Sequence, residues 1–343
     1  MQGSNLTDAF NFLSKLTLLR CWNAFLVNLS YRVSRLMGRP IVWGEPFSIS
    51  VEPTTACNLG CPECPSGLKS FTRPTGKITM DLFKSTIDAQ HRKLIYLSFY
   101  FQGEPFLHKG FLDMVHYASA KGIYTATSTN AHFITDDVAR KTVESGLDRL
   151  IISLDGTTQE TYSQYRRGGQ MQTVIDAAKR LVHWRKALGS STPLLVFQFL
   201  VVRPNEHQVD EVRRLASALG MDGVWLKTAQ VYDYANDPHQ LIPQTERFSR
   251  YRIDEAGKTI PKNNMPNHCW KMWHSNVVTW DGQVVPCCFD KDAKYVMGKL
   301  GETDMQEIWK GKKYREFRQE LMKSRKNIDI CSNCSEGINV WRS

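Results

Sequence analysis

Phe47-Ser48-Ile49-Ser50-Val51-Glu52-Pro53 leads, three residues later, into Cys57-Asn58-Leu59-Gly60-Cys61-Pro62-Glu63-Cys64-Pro65. The first stretch alternates apolar and polar residues, the period of a strand. The second sets three thiols at C-x3-C-x2-C spacing beyond the strand end, where the loops of an α/β barrel carry chemistry. The spacing is short enough for all three sulfurs to converge on one small object. Four cysteine ligands close an iron–sulfur cluster. Three can hold a cubane and leave its fourth iron open to a ligand, much as a catalytic zinc keeps an open position. Two plainer readings stand beside this one. Zinc sites mostly pair two C-x2-C or Cys/His knuckles, and a short motif can arise by chance.

Working outward, further strand-like runs occur at Leu94–Phe101, Ile123–Thr129, Leu150–Gly156, Leu194–Val202 and Gly223–Lys227. Helical periodicity fills 80–91, 108–121, 135–145, 158–187 and 206–219 between them. Strands separated by helices imply parallel βαβ units. Their right-handed crossovers curl six such units into an open, partial barrel. Gln198 and Lys227 are predicted to face its mouth.

The strand ends carry a series of short motifs: Gln102-Gly103-Glu104-Pro105, Thr129-Asn130-Ala131 and Ser153-Leu154-Asp155-Gly156. Together with the three cysteines, and in this order, they make the chain resemble the radical S-adenosylmethionine (SAM) superfamily. Gln102 stands for the first Gly of its Gly-Gly-Glu-Pro element, and Ala131 for the Gly of its Thr-Asn-Gly turn. The resemblance implies a partial (β/α)6 TIM-like barrel and a four-iron, four-sulfur (4Fe-4S) cluster held by Cys57, Cys61 and Cys64. Its open iron would bind the amino and carboxylate groups of SAM. One electron into the sulfonium then yields methionine and a 5′-deoxyadenosyl radical, which abstracts a substrate hydrogen. By the same resemblance Gly103, Glu104 and Pro105 line the SAM amino group, and Asn130 and Ser153 contact SAM. Arg166, in Tyr165-Arg166-Arg167-Gly168-Gly169, pairs its carboxylate with a planar fork suited to that task. Plain alternatives remain: a turn for Asn130, a turn or helix cap for Ser153 and Asp155, and a surface arginine for Arg166.

A second cysteine set lies downstream: Cys269, Cys287 with Cys288 beside it, and the C-x2-C pair Cys331 and Cys334. Between them Asp281-Gly282, flanked by alternating apolar residues, is a strong hairpin signal. It would bring Cys269 and Cys287 together, and a helix over Met305–Lys323 would return the chain to the C-x2-C knuckle. This resembles the SPASM/twitch extension of radical SAM enzymes, which carries auxiliary 4Fe-4S clusters. The full extension has further cysteines after the knuckle. None follows Cys334 here, so one auxiliary cluster on Cys269, Cys287, Cys331 and Cys334 is expected. Zinc is the alternative for a closed four-thiolate site. Cys288 is read as a thiol beside the cluster, and Cys21 as a packed apolar residue. None of the histidines forms a metal or triad pattern, and His108, His268 and His274 are read as packing or surface residues.

The 343-residue chain suits a large α/β domain with an appendage. The predicted organisation is an N-terminal amphipathic helical segment over 1–46 and a radical SAM core over 47–231. A Pro-, Asn- and Asp-rich linker over 232–266 and a small α+β auxiliary-cluster module over 267–343 follow. With 42% hydrophobic and 23% charged residues, wholesale disorder is excluded. The net charge of +10 is spread along the chain, and no nucleic-acid-binding signature accompanies it. Nucleic acid is therefore not an expected partner. Residues 8–38 allow two readings. One is a helix capping the barrel, with Trp22, Phe25 and Leu26 docked on the core. The other is a basic interfacial helix making peripheral contact with a membrane or a partner. Clustered cysteines without a signal peptide point to a reducing, oxygen-poor cytoplasm.

Three functions are compatible with these features. The first is an oxidoreductase acting on a small biosynthetic metabolite, its substrate radical losing an electron to the auxiliary cluster. It would draw electrons from a donor such as flavodoxin or ferredoxin. The second is a peptide- or protein-modifying maturase. It is weakened because no small α/β peptide-binding module is visible before the first strand. The third is a non-catalytic iron–sulfur or zinc protein, which leaves the ordered motifs unexplained.

Overall fold

The computed structural model describes residues 2–334, and their side chains from residue 6 onward. Six parallel strands form the core: β1 (Ser48–Val51), β2 (Tyr96–Ser98), β3 (Tyr124–Thr129), β4 (Arg149–Ser153), β5 (Leu194–Val201) and β6 (Gly223–Thr228). They lie in sequence order, each hydrogen-bonded to the next, as βαβ crossovers require. Next come a short hairpin of β7 (Tyr251–Ile253) and β8 (Thr259–Pro261), then β9 (Ser275–Val278), β10 (Gln283–Val285) and β11 (Gly298–Lys299). The last three extend the same sheet, in the order β11-β10-β9-β1-β2-β3-β4-β5-β6. β9 runs parallel to β1, with Ser48 opposite Ser275 and Val51 opposite Val278. The loop leaving β1 and the hairpin of the second cysteine set therefore start side by side.

The helices are α1 (Gln2–Ser14), α2 (Leu18–Met37), α3 (Pro65–Leu68), α4 (Met80–Gln90), α5 (Phe111–Ala120), α6 (Asp136–Glu144) and α7 (Gln159–Tyr165). They continue with α8 (Met171–Ala187), α9 (Val209–Leu219), α10 (Lys271–His274), α11 (Met305–Lys310), α12 (Lys312–Ser324) and α13 (Asp329–Ser332). Thr17, Thr79, Thr135, Thr158 and Asp304 cap α2, α4, α6, α7 and α11, each accepting a hydrogen bond from a backbone N–H in the first turn. The core is the sandwich of inward strand residues, such as Ile49, Leu97, Ile152 and Phe197, with Phe83, Met114, Ala178 and Val212 from the outer helices.

Three predicted helices are interrupted. The stretch 158–187 divides at Arg166–Gln170, where Gly168 has φ +82°. The break lets Arg167 turn its carbonyl to Gly60 N at 2.9 Å. Met305–Lys323 divides at Gly311, and 8–38 divides before Thr17, which restarts α2 as its cap. The 232–266 stretch also folds more than a linker reading implies, since it contains the β7–β8 hairpin. Tyr251 Oη there accepts from Val231 N and donates to Asn333 Oδ1 at 2.9 Å.

α1 caps the barrel at the N-terminal ends of the strands. The Asp8 carboxylate bonds Arg149 and the Tyr124 hydroxyl. Asn11 donates to Asp148 Oδ1 at 2.7 Å, and Phe12 meets Tyr124 edge-on at 5.4 Å. Both Asp8 and Arg149 are largely buried, so Asp8→Ala leaves a cation and a hydroxyl without their partner. A loss of about 2–4 kcal/mol in unfolding free energy is expected. Denaturant unfolding of the anaerobic protein measures it; a loss under half a kcal/mol would refute the capping role.

α2 contradicts the docking predicted for the capping reading. Trp22 and Phe25 are exposed, while Arg20, Asn23, Ser30 and Ser34 are buried. No helix among the described residues is long and apolar enough to cross a membrane.

Candidate metal and cofactor site

The first cysteine loop is built on backbone contacts. Glu52, just past β1 and fully buried, takes both arms of Arg73, at 2.6 and 2.9 Å, which fixes the exit of the strand. Gly60 N donates to Arg167 O, and Cys64 opens α3. A Cβ on Gly67 would lie 2.6 Å from Cys61 N, so only glycine lets α3 pack on the loop. Gly103 is constrained twice. It has φ +75°, and a Cβ there would lie 2.1 Å from Thr54 O. Its own N–H donates to Ser66 Oγ at 2.9 Å, and Glu104 N donates to Ala56 O at 2.8 Å. The Gly-Glu-Pro turn is thus clamped against the cysteine loop.

Burial pushes the Cys57 thiol up to about 11, and raises Cys61 as well, an effect the neighbouring Arg166 opposes. These thiols stay protonated until a metal centre replaces the protons. None of the cysteines is in a disulfide. Three reduced thiols within one short loop, Cys61 buried and Cys57 and Cys64 half-buried, suit the soft iron of an iron–sulfur cluster.

Glu104 is fully buried, and burial raises its carboxyl above the usual range. It accepts from Thr129 Oγ1 at 2.7 Å, Phe106 N at 3.2 Å and Asn130 N at 2.8 Å. The side chain therefore ties the loop after β2 to the end of β3, and Pro105 opens a short 3-10 turn beside it. Asn130 Nδ2 donates to Asn58 Oδ1 at 2.7 Å and lies 3.9 Å from Cys57 Sγ. Ala131, standing where the resemblance has glycine, takes φ +64°. That conformation costs an L-residue about 1–2 kcal/mol. Its burial and the bond from its N–H to Thr129 Oγ1 at 2.9 Å hold it there.

Ser153 closes β4, buried, in register with Gln198 of β5. Arg166 is not a surface arginine. Its Nε donates to Asp155 Oδ2 at 2.5 Å, and its Nη1 lies 3.9 Å from Cys61 Sγ. Asp155 is buried and also accepts from Leu200 N at 2.7 Å, so it orients Arg166 rather than merely forming a turn. Lys227 is exposed on β6. His108 Nε2 donates to Ile78 O at 2.8 Å and its Nδ1 accepts from Gly110 N at 3.1 Å, and His268 Nδ1 meets Tyr31 Oη at 3.0 Å, all packing roles.

The second cysteine set gathers where β9, β10 and α13 meet. Burial raises Cys287 well above its ordinary value, and the neighbouring Cys288, Cys334 and Cys269 push the same way. Burial also raises Cys331, against the pull of the Arg325 guanidinium. The neighbouring Cys334, Cys269 and Cys331 thiols raise the Arg325 pKa against the effect of its burial. Cys288 faces elsewhere: it packs with Phe101, Val277 and Val285, and Lys271 Nζ lies 3.5 Å from its sulfur. Among the described residues no three His, Cys, Asp or Glu side chains gather closely enough to chelate a single ion.

A cavity of about 410 Å³ lies between the two cysteine sets. Pro65 and Leu68 of α3, Tyr232 and Tyr234, and Phe289 to Asp292 line it. Glu63, inside the first motif, accepts from Tyr232 N at 2.8 Å. Lys291, beyond Cys287, donates to Tyr232 Oη at 2.6 Å, and burial lowers its pKa. Glu63, Tyr232 and Lys291 thus connect the two sets, and sequence reasoning missed all three. The only signal was position: Glu63 between two cysteines, Lys291 just past another.

Residues 51–218 match the model of the radical SAM superfamily, and residues 269–335 that of the SPASM iron–sulfur cluster-binding domain. The mycofactocin maturase MftC of Mycobacterium tuberculosis is 31% identical over 311 residues, which span 84% of this chain and 75% of that protein. The chain belongs to the radical SAM superfamily. This radical SAM protein is also 27% identical to the tungsten-containing aldehyde ferredoxin oxidoreductase cofactor-modifying protein of Pyrococcus furiosus, over 83% of the chain and 86% of the relative. An AdoMet-dependent heme synthase of Oleidesulfovibrio alaskensis is 24% identical, over 82% and 80%. Among solved structures, anSMEcpe with bound AdoMet superimposes with TM-score 0.63 at 17% identity, covering 86% of this chain and 90% of that one. Streptococcus suis SuiB bound to S-adenosylmethionine gives 0.63 at 12%, covering 87% and 74%. These establish the fold: a partial TIM-like barrel with an auxiliary module. As a radical SAM enzyme with a SPASM domain, the chain uses S-adenosyl-L-methionine and 4Fe-4S clusters, one in the core and an auxiliary one.

Proposed function

We propose that this enzyme oxidises a small metabolite held between its two clusters, with the auxiliary cluster taking up the second electron. The observation that carries this reading is the cavity lined from both sides, by α3 next to Cys64 and by the Phe289–Asp292 loop next to Cys287. Its volume lies in the range of small-ligand pockets. When bound, SAM and the core cluster supply the radical that removes a substrate hydrogen.

The chain's own residues would work as follows. Cys57, Cys61 and Cys64 hold the core cluster, and Cys269, Cys287, Cys331 and Cys334 the auxiliary one. Gly103, Glu104 and Pro105 present backbone groups to the SAM ammonium, with the Glu104 carboxylate keeping the turn in place. Asn130 and Ser153 complete that wall. Arg166, held by Asp155, donates toward Cys61 and to the SAM carboxylate, and such donation to a cluster sulfur offsets its negative charge. A flavodoxin or ferredoxin in the cytoplasm would provide the reducing electron. The segments 1–46, 47–231, 232–266 and 267–343 serve as cap, core, connector and auxiliary module; the end of the last lies outside the described residues.

The second reading is a peptide maturase, favoured by the 31% identity to MftC. Deuterium transfer separates the two. The anaerobically reconstituted enzyme is incubated with SAM, dithionite and fractionated extract from deuterated cells of the source organism. Label should enter 5′-deoxyadenosine from the low-mass fraction. Label arriving only from the peptide fraction would refute the metabolite reading, and no 5′-deoxyadenosine at all would refute the enzyme reading. About eight irons per chain are expected, as two cubanes require.

Lys291 supplies a sharper test of the cavity. Its ammonium is the nearest cation to Tyr232 and lines the space between the clusters. Lys291→Met should lower deuterium transfer about 10–100-fold, the loss of one hydrogen bond from a charged donor. SAM cleavage without substrate should persist. Unchanged transfer would remove Lys291 from the substrate site.

A further inference from the structure

α2 is inside out. Arg20, Asn23, Val27, Ser30 and Ser34 recur at spacings of three and four and are buried; Leu18, Trp22, Phe25, Leu29 and Leu36 recur in the same way on the opposite side and are exposed. The buried polar face has specific partners. Arg20 donates to the carbonyls of His91, Lys121 and Gly122, which end α4 and α5. Asn23 exchanges two hydrogen bonds of 3.0 Å with the backbone of Glu45, and Ser34 two of 2.9 Å with that of Ile41. These contacts set the rotation of the helix and leave its apolar side facing out.

The outward face is broad. Leu18 is 93% exposed, Leu36 85%, and Phe10 on α1 70%. Leu6 and Leu13 of α1 and Trp43 beyond α2 are exposed as well. Trp22 and Phe25 stack at 5.4 Å, so the patch has a continuous aromatic centre. Exposed apolar side chains in this number, around a stacked aromatic pair, mark an interaction site.

Charge decides what covers it. In residues 1–44 the only carboxylate is Asp8, and Arg149 and Tyr124 take it up on the inner side. Arg32, Arg35 and Arg39 are exposed and form no ion pair among the described residues. Arg32 lies within the apolar stripe, between Leu29 and Leu36. A second copy of this face would set these arginines against their own kind. An anionic lipid surface answers both features, taking Trp, Phe and Leu at the acyl boundary and arginines at the headgroups. We propose that the α1–α2 face docks the enzyme on an anionic bilayer, with both helices lying in the interface. α1 sits at the N-terminal ends of the strands, so the cysteine loop, at the opposite end, points away from the bilayer.

The test is vesicle cosedimentation of the full-length, cluster-loaded enzyme under anaerobic conditions. The enzyme should pellet with vesicles of phosphatidylcholine and phosphatidylglycerol, less with phosphatidylcholine alone, and less at high salt. Trp22→Ser with Phe25→Ser should lower the partition coefficient about tenfold, as should Arg32→Glu with Arg35→Glu. Both variants should keep iron content and 5′-deoxyadenosine yield in solution, so a misfolded variant is recognised. Wild type remaining in the supernatant with anionic vesicles would overturn the proposal, as would equal binding by the variants. A dimer in analytical ultracentrifugation that Trp22→Ser/Phe25→Ser dissolves, with no vesicle binding, would assign the face to a second copy and overturn it too. None of these outcomes bears on the radical chemistry, which the solution assay reads separately.

Discussion

Cys61→Ala is expected to reduce 5′-deoxyadenosine formation by about a thousandfold or more, the scale on which members of one catalytic unit fail together. Cys61 is the middle thiol of the motif and the most buried of the three. Two sulfurs cannot grip a cubane from one side, and Arg166 Nη1 would lose the sulfur it faces at 3.9 Å. The purified variant should lose about four irons per chain, together with the SAM-dependent change in its reduced-cluster electron paramagnetic resonance signal. Cys21→Ala is the control, because Cys21 is exposed on α2, far from either set in sequence. Retained product formation by Cys61→Ala would refute the three-thiolate site.

Cys334→Ala should separate the two halves of the reaction. SAM cleavage and deuterium transfer into 5′-deoxyadenosine are expected to continue, while formation of oxidised product falls about a thousandfold, because the acceptor for the substrate radical's electron is gone. Cys334 is buried, and its carbonyl accepts from Asn263 at 2.8 Å, so some loss of stability accompanies the change. Two readouts keep the result interpretable. Iron should fall by about four per chain, and 5′-deoxyadenosine formed without substrate should stay within a few-fold of wild type. Full product turnover by a folded Cys334→Ala enzyme would rule out electron acceptance by the auxiliary cluster.

The sequence was informative where chemistry is local. β3 and β5 fall within a residue of the predicted runs and β4 ends three residues before its own, because buried parallel strands are near-continuous apolar stretches. The motif at each strand end was legible for the same reason: a turn that must approach another backbone, as Gly103 approaches Thr54, leaves a glycine in the text. Interrupted helices were less legible. The 158–187 periodicity continues through Arg166–Gln170, yet the chain breaks there to bring Arg167 to Gly60. β2 is shorter than its apolar run: Phe99 N still bonds Ala126 O of β3 at 2.8 Å, and Phe101 beyond it packs in a separate cluster with Val277 and Val285.

Alone, the order of residues determined the barrel, the three-thiol loop and the second cysteine set, because strand period, helix period and ligand spacing are written within short windows. Only the folded chain decided that β9 joins β1, that Glu63, Tyr232 and Lys291 meet across one cavity, and that α2 turns its apolar side outward. Each depends on partners far apart in sequence. In α2 the deciding force is the demand of buried carbonyls at the ends of α4 and α5 for a donor. Arg20 meets that demand, and no hydrophobic periodicity records it.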